Sequence, residues 1–219
     1  MMGTEHTFQG AEEEQLKLAK QVSNIDSPMV GSKYIIGVDV AYQDTNAFAC
    51  AVVQDGESME IVEIEKRKSI CDVPYRSGFF YLREAPLIIE ILKELKHQGP
   101  VLIDGNGILH PRRMGLASYV GVKMNIPTIG VAKKLMLGIV GVRKDNVAPI
   151  INDSEQLGVA FWSTKGKRPV YVSIGHGISL KTAIDIVGKV SQHRIPEPLR
   201  QAHLGSQELR KTYTYHENE

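Results

Sequence analysis

The sequence predicts an α/β fold, a mixed central sheet flanked by helices. Two observations carry this. The first third holds three consecutive extended runs joined by turn residues, which read as an antiparallel meander. The middle then alternates strand-like and helix-like segments, the pattern of βαβ units with parallel strands.

Taken in order, residues 10–27 read as an amphipathic helix. Leu16, Leu18, Ala19 and Val22 face inward, and Glu12, Glu13 and Glu14 lie near its start, where acids suit the helix dipole. Extended runs follow at 34–42, 48–54 and 59–66. Gln43-Asp44-Thr45-Asn46 suits a hairpin between the first two, and Ile61, Glu63 and Glu65 alternate with Val62 and Ile64 in a half-exposed third. Residues 74–78 form a loop. A helix runs to about His97 with Leu87, Ile88, Ile91, Leu92 and Leu95 as its stripe, and Pro86 suits its first turn better than its interior. Strand 101–104, helix 113–125 and strand 128–132 continue the alternation. Strands near 158–162 and 170–174 and helices near 179–190 and 198–211 complete it. A three-stranded meander followed by βαβ units is the order of the ribonuclease-H-like fold. No repeat or linker divides the chain, so 1–212 are expected to form one domain and 213–219 a flexible tail.

The 219 residues, 42% hydrophobic and 23% charged, suit a globular chain with a real core. The longest apolar runs are too short to span a bilayer. Residues 1–6 lack the basic and apolar regions of a signal peptide, so a cytoplasmic location is expected. Cys50 and Cys71 lack metal-ligand spacing and are expected to be reduced. The net charge of +1 hides a division: residues 1–104 carry 10 Lys and Arg against 17 Asp and Glu, and residues 105–212 carry 16 against 6. A basic half beside an acidic, metal-ready half suits a polyanionic substrate, although an uneven solvated surface gives the same count.

Three carboxylates stand where apolar side chains are expected. Asp39 interrupts the run 34–42, on the face opposite Ile36, Val38 and Val40, with Gly37 leaving room beside it. Asp104 closes Val101-Leu-Ile-Asp104, at the strand end where open α/β sheets place ligands. Glu84 precedes Leu87, Ile88 and Ile91 by three, four and seven residues and shares their stripe. Each has a structural alternative: an edge-strand acid, an Asp-Gly turn starter, a helix-start acid. A buried charge must be paired or bind metal, so three in separate elements point to a shared cation.

In the order Ile36-Gly-Val-Asp-Val40, Pro74-Tyr-Arg-Ser-Gly78, Arg83-Glu-Ala-Pro86, Leu102-Ile-Asp-Gly-Asn-Gly107, His110-Pro-Arg112, Gly115-Leu-Ala-Ser118, Pro127-Thr-Ile-Gly-Val-Ala-Lys133, Ser173-Ile-Gly-His176 and Arg194 to His203, the chain resembles the endonuclease V family across about residues 30–205. The resemblance implies a metal-dependent endonuclease that recognises deoxyinosine and cuts the second phosphodiester bond 3′ to it, leaving 3′-hydroxyl and 5′-phosphate ends. By the same resemblance, Asp39, Glu84 and Asp104 match the metal-site acids. Lys133 and His203 match the active-site lysine and histidine, and Tyr75 matches the tyrosine that wedges into the duplex. Gly78, Gly105 and Gly107 match a hypoxanthine pocket, and His110 and Arg112 fall in matched blocks as nucleic-acid contacts. Each of these also has an ordinary reading as a solvated charge, a capped histidine or turn geometry.

Hard carboxylate oxygens suit Mg²⁺, with Mn²⁺ as a substitute. The chain departs from the family at Arg76 and Ser77, where an apolar residue and a second proline are usual. That loses rigidity in the wedge, while Arg76 adds attraction for phosphate. Arg113, Lys165, Lys167 and Arg168 are further candidates for phosphate contact. The expected partner is inosine-containing DNA, with RNA as the alternative, no membrane, and a monomeric protein. A non-cleaving inosine-binding protein and an inosine-specific ribonuclease are the competing readings.

Overall fold

The computed structural model describes residues 8, 10–164 and 166–217. The meander forms as expected: β1 (Tyr34–Gln43), β2 (Asn46–Asp55) and β3 (Ile61–Ile70) pair antiparallel in sequence order. Edge strand β3 points Val62 and Ile64 outward and keeps Glu63 half-buried. The Glu63 carboxylate is satisfied there by the backbone N–H groups of Lys96 (2.9 Å) and His97 (3.2 Å) and by the His97 ring.

The chain then crosses through α2 (Tyr81–Glu94) to β4 (Val101–Ile103), parallel to β1, and through α3 (Leu116–Met124) to β5 (Thr128–Ala132), parallel to β4. Strands β6 (Ile139–Val140), β7 (Val147–Asn152), β8 (Glu155–Phe161) and β9 (Val170–His176) complete one nine-stranded sheet, ordered β3-β2-β1-β4-β5-β9-β8-β7-β6. Helices α1 (Ala11–Ala19), α2 and α3 share one apolar layer with Ile36, Val38 and Val40. Helices α4 (Leu180–Lys189) and α5 (Glu197–Glu217) face the other side, where Ala183, Val187 and Leu199 pack with Ile35, Leu102 and Ile129. Fully buried side chains such as Ile88 and Ile91 each contribute about 1.5–3 kcal/mol. The arrangement is the mixed, ribonuclease-H-like sheet expected.

Several boundaries differ from expectation. Helix α1 stops at Ala19 rather than residue 27, because the backbone beyond is drawn to β9: Ser23 N–H donates to His176 Nδ1 (3.2 Å) and Gly177 N–H to the Ser23 carbonyl (2.8 Å). Its inward residues are Ala11, Gln15 and Leu18, while Leu16 is 49% exposed. Pro86 lies inside α2, and its exposed position lets the buried stripe carry the helix through. Helix α3 begins at Leu116, since Arg113 has φ 55. Helix α5 continues to Glu217, into the segment expected to be a tail. Tyr213 holds it there, its ring 5.4 Å from Phe48 with the Lys68 ammonium 3.2 Å from its centroid. Strands β6 and β7 were not foreseen. Pro149 sits in β7, and its carbonyl accepts from Gly141 N–H (2.8 Å), so its donorless nitrogen faces the short edge strand.

Candidate active site

Asp39 lies in β1, 7% exposed, on the side covered by α5. Gly37, two residues earlier, lets that helix approach: a Cβ there would run into the backbone of Pro198 and Leu199. The close crossing brings one turn of α5 over Asp39. Ser206 Oγ donates to Asp39 Oδ2 at 2.8 Å, and His203 Nδ1 lies 3.1 Å from the same oxygen. Both contacts use Oδ2, so Oδ1 remains available to a further partner.

The β1–β4 register, with Val38 beside Ile103, sets Asp104 alongside Asp39 at the ends of neighbouring parallel strands. Asp104 pairs with Lys133, which follows β5 in the same row of strand ends. From the opposite layer, the first turn of α2 brings in Glu84, 5% exposed. Burial pushes the Glu84 carboxyl well above the usual range, and the charges of Asp39 and Asp104 push it further. Asp39 is raised by burial and by Asp104, against the opposing effect of Ser206 and His203. The three acids therefore occupy one electrostatic neighbourhood.

Among the described residues, no three His, Cys, Asp or Glu side chains stand close enough to hold a metal ion as they are placed. Asp104 is turned onto Lys133. Mutual repulsion among buried carboxylates is nevertheless what a divalent cation relieves, and the donors are the hard oxygens that Mg²⁺ prefers. The residues fit such an ion.

A cleft of about 400 Å³ opens beside Asp104. It is lined by Tyr75, Ser77, Gly78 and Phe80 from one segment, Gly105, Asn106 and Leu116 from a second, and Lys133, Leu135 and Met136 from a third. Its volume is that of a small-molecule pocket. Tyr75 stands 69% exposed at the rim, its ring 6.0 Å from Phe80. Asp104 and Lys133 belong to the cleft lining, so a group seated there has Asp104 and its lysine partner beside it.

The family model for "Endonuclease V" matches residues 16–204. An endonuclease V of Thermofilum pendens is 42% identical over 201 residues, covering 90% of this chain and 87% of its own. The chain belongs to the endonuclease V family. That places it among endonucleases, hydrolases of phosphodiester bonds. The catalytic domain of human endonuclease V superposes with a TM-score of 0.86 at 33% identity, covering 96% of this chain and 98% of that one. Endonuclease V of Ciona intestinalis, solved with a 24mer DNA containing an inosine followed by a ribo-adenosine, gives 0.87 at 31% identity, covering 96% and 100%.

Around this acid cluster the other expected residues take varied positions. Gly105 lines the cleft, whereas Gly107 packs against the Ile174 carbonyl of β9 and its N–H donates to Ser173 Oγ (3.0 Å). Gly78 has φ 79, a conformation that favours glycine. His110 is buried beside it. Desolvation, helped by the Arg112 charge, pulls its imidazole down to about 4, and its Nδ1 accepts from Arg112 N–H (3.2 Å). The Arg112 guanidinium is engaged within the protein, on Gln15, Gly78 and Glu12. Arg113 pairs with Glu155 at 2.9 Å. Arg76 stacks over the Phe8 and Phe79 rings at 5.0 and 5.1 Å from their centroids, which ties it to the protein's own aromatics. Lys167 and Arg168 are exposed, and Lys165 lies outside the described residues.

Three cleft or centre residues were not foreseen. Ser206 was findable, being one helical turn beyond His203. Asn106 stands inside the 102–107 block, and its buried Oδ1 has no partner among the described residues. Gln15 gave no signal beyond an amide on a helix.

Proposed function

We propose that this protein is a metal-dependent endonuclease that recognises deoxyinosine in DNA and cuts the second phosphodiester bond on its 3′ side, leaving 3′-hydroxyl and 5′-phosphate ends. The observation that carries the reading is the adjacency of the acid cluster, Lys133 and a cleft rimmed by exposed Tyr75. Asp39 and Asp104, with Glu84, would hold Mg²⁺ or Mn²⁺. Such an ion supplies polarisation of the scissile phosphate and a coordinated water of lowered pKa.

The chain's own groups do the rest. Lys133, half-exposed beside Asp104, offers its ammonium to charge developing on the phosphate. His203 and Ser206 fix the orientation of Asp39 through Oδ2. Tyr75 enters the duplex as the lesion base leaves the stack, a step costing a few kcal/mol and least for a mispaired base. The base then rests in the cleft over Gly105.

An end-labelled duplex with one deoxyinosine, incubated with Mg²⁺, tests this directly. Wild type is expected to give one nick two linkages downstream and none with chelator. Asp39→Ala should cut at least about a hundredfold more slowly, the scale of losing one electrostatic catalytic group. Equal cutting by the two proteins would sink the assignment. Binding of the lesion duplex without any nick would favour a non-cleaving inosine reader. The Ciona relative was solved with a ribonucleotide after the inosine, so the same assay on inosine-containing RNA distinguishes a ribonuclease.

A further inference from the structure

We infer that Gln15, on the N-terminal helix, is a positioning residue for lesion recognition, pinning the 74–78 loop to the Met114 segment of the cleft lining. The inference rests on the reading of the cleft as a base pocket and of Tyr75 as its wedge. Gln15 is fully buried on the inward face of its helix, between Ala11 and Leu18. A buried amide is costly unless its bonds are made. Here all are made, and all to the recognition region. Nε2 donates to the Gly78 carbonyl (3.0 Å) and to the Met114 carbonyl (2.7 Å), while Oε1 accepts from Arg112 Nε (2.6 Å).

The chemistry fixes the amide's orientation, because two carbonyls need N–H donors and the guanidinium can only donate. One side chain thus ties the end of the loop, at Gly78, to the segment that leads into α3, at Met114. Arg112 closes the network. Its Nη2 donates to the same Gly78 carbonyl at 2.8 Å, and its guanidinium lies 4.3 Å from the Phe79 ring centroid. Phe79 is held from its other neighbour by Arg76. The loop that carries Tyr75 is therefore anchored at its root by a helix about sixty residues earlier in the chain, while Tyr75 itself stays exposed.

A merely structural Gln15 and a positioning Gln15 differ in one readout. Inosine in a duplex must be extruded against stacking and pairing, whereas inosine in a single strand need not be. Gln15→Met, close in shape and unable to make any of the bonds, and Gln15→Asn, too short to span both carbonyls, are compared with wild type on both substrates, with melting temperatures alongside. Loop anchoring requires kcat/KM on the duplex to fall about tenfold more than on the single strand, the scale of one or two net hydrogen bonds. A parallel fall on both substrates, or no fall in a folded variant, overturns the inference. If Gln15→Met fails to melt cooperatively, Gln15→Asn decides. Wild type without any preference for inosine would sink the function first and this inference with it, a result separable from any effect of the variants.

Discussion

Glu84 is the residue whose burial and acidic neighbours most oppose its charge, with Tyr42 and Arg83 working the other way. It is nearly fully buried, and its strongest neighbours are two further acids. A folded-state pKa above the unfolded value means that stability is lost as pH rises from the ordinary carboxylate range through the raised one. At pH 8 without metal, Glu84→Gln should therefore raise stability by about 1 kcal/mol, visible as a shift of about 2–4 °C in melting temperature for a chain of this size. The same variant should lose most of the rise that Mg²⁺ gives wild type. Melting with Mg²⁺ and with chelator checks both, and a variant that is less stable than wild type in chelator contradicts the repulsion. His110 shows the opposite sign. Its imidazole is lowered to about 4, so its contribution is intact above the unfolded value and lost as pH falls from about 6.5 to 4, up to roughly 3 kcal/mol. Denaturant unfolding should show that slope in wild type and lose it in His110→Gln. The acids were legible because a charge in an apolar stripe is anomalous in the sequence itself. Gln15 and Ser206 were not, because an amide or hydroxyl on a helix is ordinary until the structure supplies its partners.

The element that assembles the centre is α5, and the position that admits it is Gly37. A methyl at residue 37 would collide with the Pro198 backbone and Leu199 nitrogen, which cannot swing aside as a side chain would. Gly37→Ala should cost about 1–3 kcal/mol as overpacking. It should also reduce activity more than folding, because any shift of α5 moves His203 and Ser206 off Asp39. Melting and inosine cleavage measured on the same preparation test this, and unchanged values in both would show that the crossing tolerates a side chain. Elements differed in how far the sequence declared them. The β1–β3 meander was readable because two extended apolar runs joined by a turn-rich segment precede a third whose burial alternates with period two. Strand β7 was hidden by Pro149 and β6 by its two-residue length. The end of α5 depended on a ring contact between Tyr213 and Phe48, which lie far apart in the chain.

At the scale of the whole molecule, the uneven charge acquires a place. The basic half supplies Lys133 and Lys134 at the cleft wall and the exposed Lys167 and Arg168. Arg194 draws these together, with Nη2 donating to the Lys133 carbonyl (3.2 Å) and Nε to the Arg168 carbonyl (3.1 Å). The 167–168 loop and the lysine facing Asp104 are thus braced by one guanidinium, and a phosphate backbone leaving the cleft on that side meets positive charge. Ion pairs with phosphate release counterions and carry no sequence information, so they should weaken with salt equally for lesion and undamaged duplex. Lys167→Glu combined with Arg168→Glu is expected to lower affinity for both duplexes alike. It should flatten the slope of log affinity against log salt by about 0.9 for each phosphate no longer neutralised, while leaving the preference for inosine unchanged. Fluorescence anisotropy across a salt series with both duplexes measures the slope and the preference together. An unchanged slope would place the nucleic acid elsewhere on the protein, and a vanished preference would mean that these cations read the lesion rather than the backbone.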